Sequence, residues 1–203
     1  MLGEDDYGLE WQAIHNWLGR LAAHSPFTYR HSLGVASLAL NLARIYGMDQ
    51  GECQALYAGA LLHDVGKITI ANALLMKKGP LTREEWLVIK NHPRAGVELL
   101  TASGISPGIL EFVAYHHERW DGGGYNGLKG PDIPLGARII ALADAFEAMT
   151  SQRPYQQIRT LPNALAEVEN NAGTQFDPGL VPVFFTMIHK LMKTASSLPL
   201  IRP

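Results

Sequence analysis

Residues 58–67 read AGALLHDVGK, a helical run of small residues and leucines that carries a histidine and an aspartate side by side. Adjacent residues on a helix point about 100° apart, so His63 and Asp64 can bracket one object beside the helix. A histidine nitrogen and a carboxylate oxygen aimed at one point among apolar neighbours make half of a metal site. For an isolated pair, a core histidine beside a helix-capping aspartate is the simpler interpretation. Whether the pair belongs to a metal site therefore depends on the other residues of the chain.

Composition restricts the class of protein. The 203 residues are 47% hydrophobic and 18% charged, as in a folded soluble protein with one core. A net charge of −2 without a basic stripe argues against a nucleic acid polymer as partner. No apolar run approaches the ~20 residues of a membrane helix, and no signal-peptide layout is present, so we expect a cytoplasmic protein without a membrane partner. Cys53 is the only cysteine, which excludes a disulfide framework and a thiolate zinc cluster.

Helical periodicity and helix start signals run along the chain, and there is no strict alternation of the kind that marks strands. Ser25-Pro26 is an N-cap followed by a first-turn proline, Gly47 ends the same helix, and Thr82 and Glu85 form a capping box. The fold class is therefore expected to be all-α, a single-domain bundle of about seven to nine helices. The expected divisions are a helical extension over residues 1–22, a main domain over 23–193 and a frayed tail over 194–203.

Several of the eight histidines occupy positions that the helical pattern assigns to the core, where an apolar residue such as leucine is usual. One helix is expected over residues 50–65, with the His63–Asp64 pair inside it. Another, starting at Pro107, places His116 and His117 at the end of an apolar stripe. A buried polar group without a partner costs about 1–3 kcal/mol, so such side chains need ligands or hydrogen bonds. The complete inward-facing set is His31, His63, Asp64, His92, His116, His117 and Asp144.

This set is too large for one tetrahedral zinc ion. Five imidazoles and two carboxylates suit two first-row metal ions about 3.5–4 Å apart, bridged by an aspartate and a hydroxide. Because the set contains no sulfur, it points to iron, manganese or zinc and not to copper(I) or an iron–sulfur cluster, and of the three we expect iron or manganese first. Such a pair deprotonates a water molecule at neutral pH and clamps a phosphate oxygen for in-line attack.

Four further motifs follow in a fixed order: GK at 66–67, HHERWDGGGY at 116–125, IPLGARI at 133–139 and RPY at 153–155. With the HD pair, they resemble the HD-GYP family, a branch of the HD-domain metal phosphohydrolases, over roughly residues 31–177. The resemblance implies an HD-type helical bundle with a glycine-rich loop between two site helices. It also implies hydrolysis of cyclic di-GMP to pGpG, or onward to GMP, with metal ligands at the seven residues named above.

The resemblance assigns further roles. Asp64 and Lys67 are the expected catalytic residues, and the ammonium of Lys67 would offset charge on the phosphorane or assist the leaving oxygen. Tyr125 is expected to pack on guanine or ribose, and Arg153 to fork a phosphate. Lys67 could instead be an ordinary solvated lysine, and Tyr125 a loop anchor.

Three positions depart from the family pattern. Asn126 replaces the proline of GYP, which predicts a reshaped loop. Gln156 stands where a basic residue is frequent in the substrate-binding segment, so one phosphate contact is weakened. Phe27 stands one helical turn before His31, where family members with three metals carry a glutamate. A phenylalanine cannot ligate, so we expect two metal ions and a bias toward stopping at pGpG.

Two alternatives stay open at this point. The chain could be an HD phosphohydrolase that acts on another nucleotide or cyclic dinucleotide. It could also be a weakly active binding module that passes a signal to protein partners, and a homodimer is compatible with either function. The intact ligand set favours the enzyme, because a scaffold has no need for five inward histidines and two acids.

Overall fold

The computed structural model describes residues 4–151 and 159–197, and it confirms the expected all-α fold: within those residues there are ten α-helices and no strand. The α-helices are α1 (Glu4–His24), α2 (Pro26–Tyr46), α3 (Gln50–Leu62), α4 (Asn72–Leu75), α5 (Arg83–Lys90), α6 (His92–Thr101), α7 (Pro107–Tyr115), α8 (Leu135–Thr150), α9 (Leu161–Asn170) and α10 (Leu180–Ser197). Two 3-10 helices cover Val65–Thr69 and Gly130–Asp132. None of the helices in this part of the chain has the length and apolar character that crossing a bilayer requires.

Local signals account for where the helices begin. The hydroxyl of Ser25 accepts a hydrogen bond from the Thr28 amide, and Pro26 occupies the first turn of α2. The capping box expected at Thr82 and Glu85 opens α5. These start signals need only three or four neighbouring residues, so they are visible in the sequence.

Helix α2 is the central element of the bundle. It packs against α1, α3, α8 and α10. Its side chains Val35, Ala39 and Leu42 are fully buried in the core that these helices share. Since His31 lies one turn before Val35 on the same helix, the fold carries this histidine into the interior.

The chain around the HD pair departs from the expected helix over 50–65. Helix α3 ends at Leu62, and the 3-10 helix Val65–Thr69 follows. A Cβ atom at Gly66 would lie 1.9 Å from the carbonyl oxygen of His92, so the two backbones are in direct contact. This tertiary contact, which periodicity does not report, requires a tighter backbone than α3 would give.

The two ends of the chain also differ from the expected divisions. Helix α1 continues to His24, two residues past the expected extension, because the chain turns only at the Ser25 N-cap. Helix α10 continues to Ser197, so the first four residues of the expected tail are helical. Residues 198–203 lie outside the described residues.

The contact at Gly66 predicts a large cost for a small substitution. In Gly66→Ala the added methyl group meets backbone atoms of His92 and Gly96, which cannot rotate away, so we expect a loss of about 3 kcal/mol or more in the free energy of unfolding. Gly19→Ala is the matched control, because nothing lies within 4 Å of its Cβ position and a helical alanine is favoured by about 0.5–1 kcal/mol. Urea unfolding of both variants tests this, and equal stabilities would contradict it.

Candidate metal centre

Three histidines of the predicted set lie at the carboxyl ends of helices. His63 follows α3, His92 follows α5, and His116 follows α7. Each ring bonds through Nδ1 to the carbonyl oxygen three residues earlier: Ala60 at 2.7 Å, Ile89 at 2.8 Å and Val113 at 2.8 Å. The last carbonyls of a helix have no partner within the helix, so each histidine caps the helix that precedes it. Its Nδ1 is thereby the donor, and the Nε2 lone pair is left for a ligand.

This capping corrects the position expected for His116 and His117. The sequence placed both on one face of the helix that starts at Pro107, but α7 ends at Tyr115 and both histidines lie in the turn that follows. The helix ends because the ring of His116, which bonds the carbonyl of Val113, occupies the place of the next backbone donor. His117 then follows with its ring centroid 4.1 Å from that of His116.

The structure brings the seven predicted side chains together. His31, His63 and Asp64 offer ligand atoms that all lie within 4.8 Å of one another, and the same holds for His92, His116 and His117. We call these the first group and the second group.

Asp64 stands between the two groups. Its Oδ2 lies 3.5 Å from Nε2 of His63 in the first group. Its Oδ1 lies 3.1 Å from Nε2 of His92 in the second group. Asp144 adds a second carboxylate, with Oδ1 2.9 Å from Nε2 of His31. A carboxylate shared in this way is the geometry of a bridging ligand.

His31 is held by a residue that the sequence reasoning missed. His31 lies inside α2, so it has no free helix carbonyl to bond, and its Nδ1 is instead paired with the carboxylate of Glu147. Glu147 lies one turn after Asp144 on α8. The two carboxylates contact the two ring nitrogens of His31, Asp144 at Nε2 and Glu147 at Nδ1. Gly34 makes room, since a Cβ there would lie 3.0 Å from Cγ of Glu147. The available signal was the three-residue spacing from Asp144, which places Glu147 on the same face of the helix.

The carboxylates of the centre are ionised. Burial disfavours the charge of Asp64, but the ammonium of Lys67 and the ring of His63 outweigh burial and hold its pKa well below the ordinary value. The pKa of Asp144 is lowered as well, because the hydrogen bond from His31 and the charge on that ring outweigh burial. Burial acts against the charge of His31 too, yet Asp144 and Glu147 raise its pKa to about 9, so this ring carries a proton on Nε2 that a bound metal ion would displace.

Most of the imidazoles of the centre are neutral. Burial lowers the pKa of His63, and burial together with the neighbouring rings lowers that of His116 far below its usual range. The pKa of His117 falls to about 4, chiefly through burial. Neutral imidazoles beside ionised carboxylates are the protonation states in which these side chains bind a metal ion.

The residues present fit a metal ion. In the part of the chain that the structure describes, Nε2 of His63 and Oδ1 of Asp64 are buried and have no hydrogen-bond partner. Buried polar atoms are otherwise nearly always paired, and orphaned atoms at one point need an explanation. A divalent cation ligated by nitrogen and oxygen supplies the missing partner for both.

Lys67 lies on the wall of the cavity beside the centre. Its ammonium donates to Oδ2 of Asp64 at 2.6 Å, and its side chain is 23% exposed. The cavity of about 350 Å³ is also lined by His31, His117, Tyr125 and Asp144. Lys67 is thus held at the cavity wall by its ion pair with Asp64, and its catalytic role stays a prediction.

The glycine-rich loop is organised by Glu118, a second residue that the sequence reasoning missed. Its buried carboxylate accepts hydrogen bonds from the Asn126 amide at 2.7 Å, the Asn126 side chain at 3.0 Å and the Leu128 amide at 2.8 Å. A proline at position 126 could supply neither Asn126 donor. Gly124 is required here, because a Cβ would lie 2.5 Å from Cα of Glu118.

The fixed loop places Tyr125 at the centre. The ring centroid of Tyr125 lies 4.7 Å from that of His117. Arg138 on α8 forms an ion pair with Asp177 at 2.6 Å, and its guanidinium lies 5.7 Å from the ring centroid of Trp120 at the start of the loop. The predicted substrate contacts Arg153 and Gln156, with the rest of the RPY motif, lie outside the described residues.

Comparisons with known proteins agree with this geometry. A family model described as HD domain matches residues 18–180. A 3'3'-cGAMP-specific phosphodiesterase 2 from Vibrio cholerae is 35% identical over 191 residues, which cover 93% of this chain and 37% of that protein. A cyclic di-GMP phosphodiesterase response regulator from Xanthomonas campestris is 45% identical over 144 residues, which cover 69% of this chain and 38% of that protein. The chain thus spans less than half the length of these curated relatives.

A solved structure shares the fold. An HDG"Y"P protein from Bdellovibrio bacteriovorus superposes with a TM-score of 0.67 at 20% identity, covering 79% of this chain and 52% of that one. At this level of identity the likeness concerns the arrangement of helices.

The grip of Glu147 on His31 predicts an effect on metal affinity. In Glu147→Ala, Nδ1 of His31 loses its acceptor and the ring is free to rotate, so we expect metal affinity to fall about 10- to 100-fold. Glu98→Ala is the control, since this glutamate is 65% exposed and pairs with Arg94 on α6. Competition for Mn²⁺ against a chelator measures both variants, and an unchanged affinity in Glu147→Ala would refute the role.

The bonds around Glu118 predict a graded series of loop variants. Glu118→Ala removes the acceptor of three hydrogen bonds, each worth about 1 kcal/mol, so we expect a loss of about 3 kcal/mol in the free energy of unfolding. Asn126→Pro removes two of the bonds, and Asn126→Ala removes one, at about 0.5–1.5 kcal/mol. Chemical unfolding and hydrogen exchange of the Leu128 amide measure the series. A different order of the three variants would show that Glu118 does not organise the loop.

Proposed function

The chain belongs to the HD domain family, and from this premise we propose that it is a metal-dependent phosphodiesterase of the HD-GYP type, which hydrolyses cyclic di-GMP to the linear dinucleotide pGpG. The observation that carries the proposal is the convergence of seven histidine and aspartate side chains, two of which have buried atoms without a hydrogen-bond partner, beside a lysine and an open cavity. The relatives described above, named for cyclic di-GMP and for 3'3'-cGAMP, support a cyclic dinucleotide as the substrate class.

The ligand set divides between two cations. His31, His63 and Asp144 would hold one, and His92, His116 and His117 would hold the other, with Asp64 between the two groups. Two divalent cations bound there supply Lewis acidity, a water molecule of lowered pKa and a clamp on the phosphate oxygens. Donors of imidazole and carboxylate without sulfur suit iron, manganese and zinc, and iron or manganese is the pair of metals that we expect first.

The chain's own residues guide the reaction. A water oxygen attacks phosphorus in line, the bond from phosphorus to O3' breaks, and O3' leaves with a proton. Lys67, on the cavity wall, places its ammonium where negative charge builds up on the phosphate and on the departing O3'. Tyr125 holds a base or ribose beside the centre, and Arg153 with Gln156 completes the contacts to the substrate.

Phe27 limits the number of cations. It lies on α2 one turn before His31, where a glutamate would add a ligand, and its side chain has none to offer. We therefore expect two metal ions per chain and pGpG as the main product. More than two metal ions in fully loaded protein, by elemental analysis, would refute this part of the proposal.

A second substrate has a specific observation in its favour. The relative that matches 93% of this chain is named for 3'3'-cGAMP, which differs from cyclic di-GMP in one base. The metal centre contacts phosphates, so it does not discriminate between the two. Parallel assays with both cyclic dinucleotides on one preparation decide which is preferred, and binding without cleavage would instead indicate a signalling module.

Removing one ligand tests the catalytic proposal. In His116→Ala, loaded anaerobically with Mn²⁺ or Fe²⁺, we expect cyclic di-GMP hydrolysis to fall by at least about 1,000-fold, because the second group loses a buried ligand. His189→Ala is the control, since this histidine lies exposed on α10 away from the centre. Chromatography of pGpG and elemental analysis of the same samples provide the readout. Wild-type turnover by metal-poor His116→Ala would overturn the proposed mechanism.

A further inference from the structure

A second cavity adjoins the metal centre, and the two share Tyr125 as a wall. This cavity of about 510 Å³ lies between α5, α6, the end of α7 and the glycine-rich loop. Its volume falls within the range of small-molecule sites, which is about 300–1,000 Å³. Its lining includes Leu87, Lys90, Asn91, Pro93, Tyr125 and Asn126.

Aromatic rings extend from the metal ligands to the edge of this cavity. The ring of Tyr125 lies 4.7 Å from His117 on one side and 6.2 Å from Trp86 on the other, where the two rings meet edge to face at 71°. Trp86 is 43% exposed, although tryptophan is among the side chains that gain most from burial. Trp86 does not line the cavity itself, but its ring partner Tyr125 does, so a flat ligand that extends past Tyr125 would meet this exposed ring as a stacking surface.

A cation is placed over both rings. The ammonium of Lys90 lies 5.0 Å from the ring centroid of Trp86 and 5.0 Å from that of Tyr125. Among the described residues Lys90 forms no ion pair, whereas Arg94, the other cation on the cavity wall, is bound to Glu98. Lys90 is therefore the cation of this cavity that an anionic ligand would meet.

The proposed substrate has two parts that need separate sites. A cyclic dinucleotide carries two phosphodiesters and two bases, so when one phosphodiester lies at the metal centre the other phosphate and a base must extend away from it. The second cavity shares Tyr125 with the metal cavity, and it offers Tyr125 and Lys90 on its wall, with the ring of Trp86 beside them. An i, i+4 contact between Trp86 and Lys90 alone would be an ordinary feature of a helix surface. The shared wall at Tyr125 is what connects this pair to the reaction.

We propose that Trp86, Lys90 and Tyr125 form a nucleotide subsite, in which a purine base of the cyclic dinucleotide stacks on Trp86 and Lys90 contacts the phosphate that is not cleaved. This inference rests on the proposed function and adds specificity residues on α5 to it. The subsite contributes to substrate binding, and the chemical step stays with the metal centre. Variants of Trp86 and Lys90 should therefore raise KM and leave kcat nearly unchanged.

Two substrates on the metal-loaded protein test the subsite. Bis(p-nitrophenyl) phosphate is a diester without a base, so it reports on the metal centre alone. For Trp86→Ala we expect KM for cyclic di-GMP to rise about 5- to 100-fold, which is the loss of one base-stacking contact, with unchanged hydrolysis of the small diester. Trp86→Phe should retain most of the affinity. Lys90→Met should raise KM and weaken its dependence on salt, because one phosphate contact is lost.

Val88→Ala is the matched control, because Val88 is a similarly exposed apolar residue of α5 that has no aromatic ring on which a base could stack. If Trp86→Ala leaves KM unchanged while the wild-type protein cleaves cyclic di-GMP, the subsite is refuted and the proposed function stands. If the wild-type protein binds but does not cleave the dinucleotide, the proposed function fails. Weaker binding by Trp86→Ala in equilibrium dialysis would then still support the subsite, and undiminished binding would overturn it.

Discussion

The structure of the centre depends on one type of hydrogen bond, from Nδ1 of a histidine to the carbonyl three residues earlier. His63, His92 and His116 each make this bond at the end of a helix. The bond satisfies a carbonyl that the helix leaves unpaired, and it fixes the ring so that Nε2 points away from the helix. Because three helices end at the same place, three such nitrogens meet there. Local capping and the assembly of the centre are thus the same interaction.

The fold was largely predictable because its signals are local. The N-cap at Ser25 and the capping box at Thr82 need no tertiary information, and the all-α class and HD-GYP resemblance derived from the sequence are confirmed. The helix end at Leu62 was not predicted, because the backbone contact of Gly66 joins segments far apart in the chain. Periodicity shows that a residue can continue a helix, and it does not show that packing forbids this.

The residues of the candidate site also fall into those that local sequence signals predict and those that depend on tertiary contacts. The seven inward side chains could be named from the sequence, because a buried histidine or acid in an apolar pattern is conspicuous in itself. The residues that hold them could not: Glu147 resembles an ordinary helical glutamate until α2 is packed against α8. Glu118 and Asn126 recognise each other only once the glycine-rich loop has folded back. What the sequence shows is chemical type, and what it lacks is the pairing of distant residues.

The common meeting point of α3, α5 and α7 has an electrostatic consequence. The peptide dipoles of a helix sum to a partial negative charge of about half an elementary charge at its carboxyl end, and here three such ends meet against a single amino end, that of α6 at His92. The backbone itself therefore makes this region attractive to cations before any side-chain ligand is counted. Substituting a ligand side chain leaves this main-chain field in place. Part of the preference for positive charge therefore comes from the arrangement of the helices.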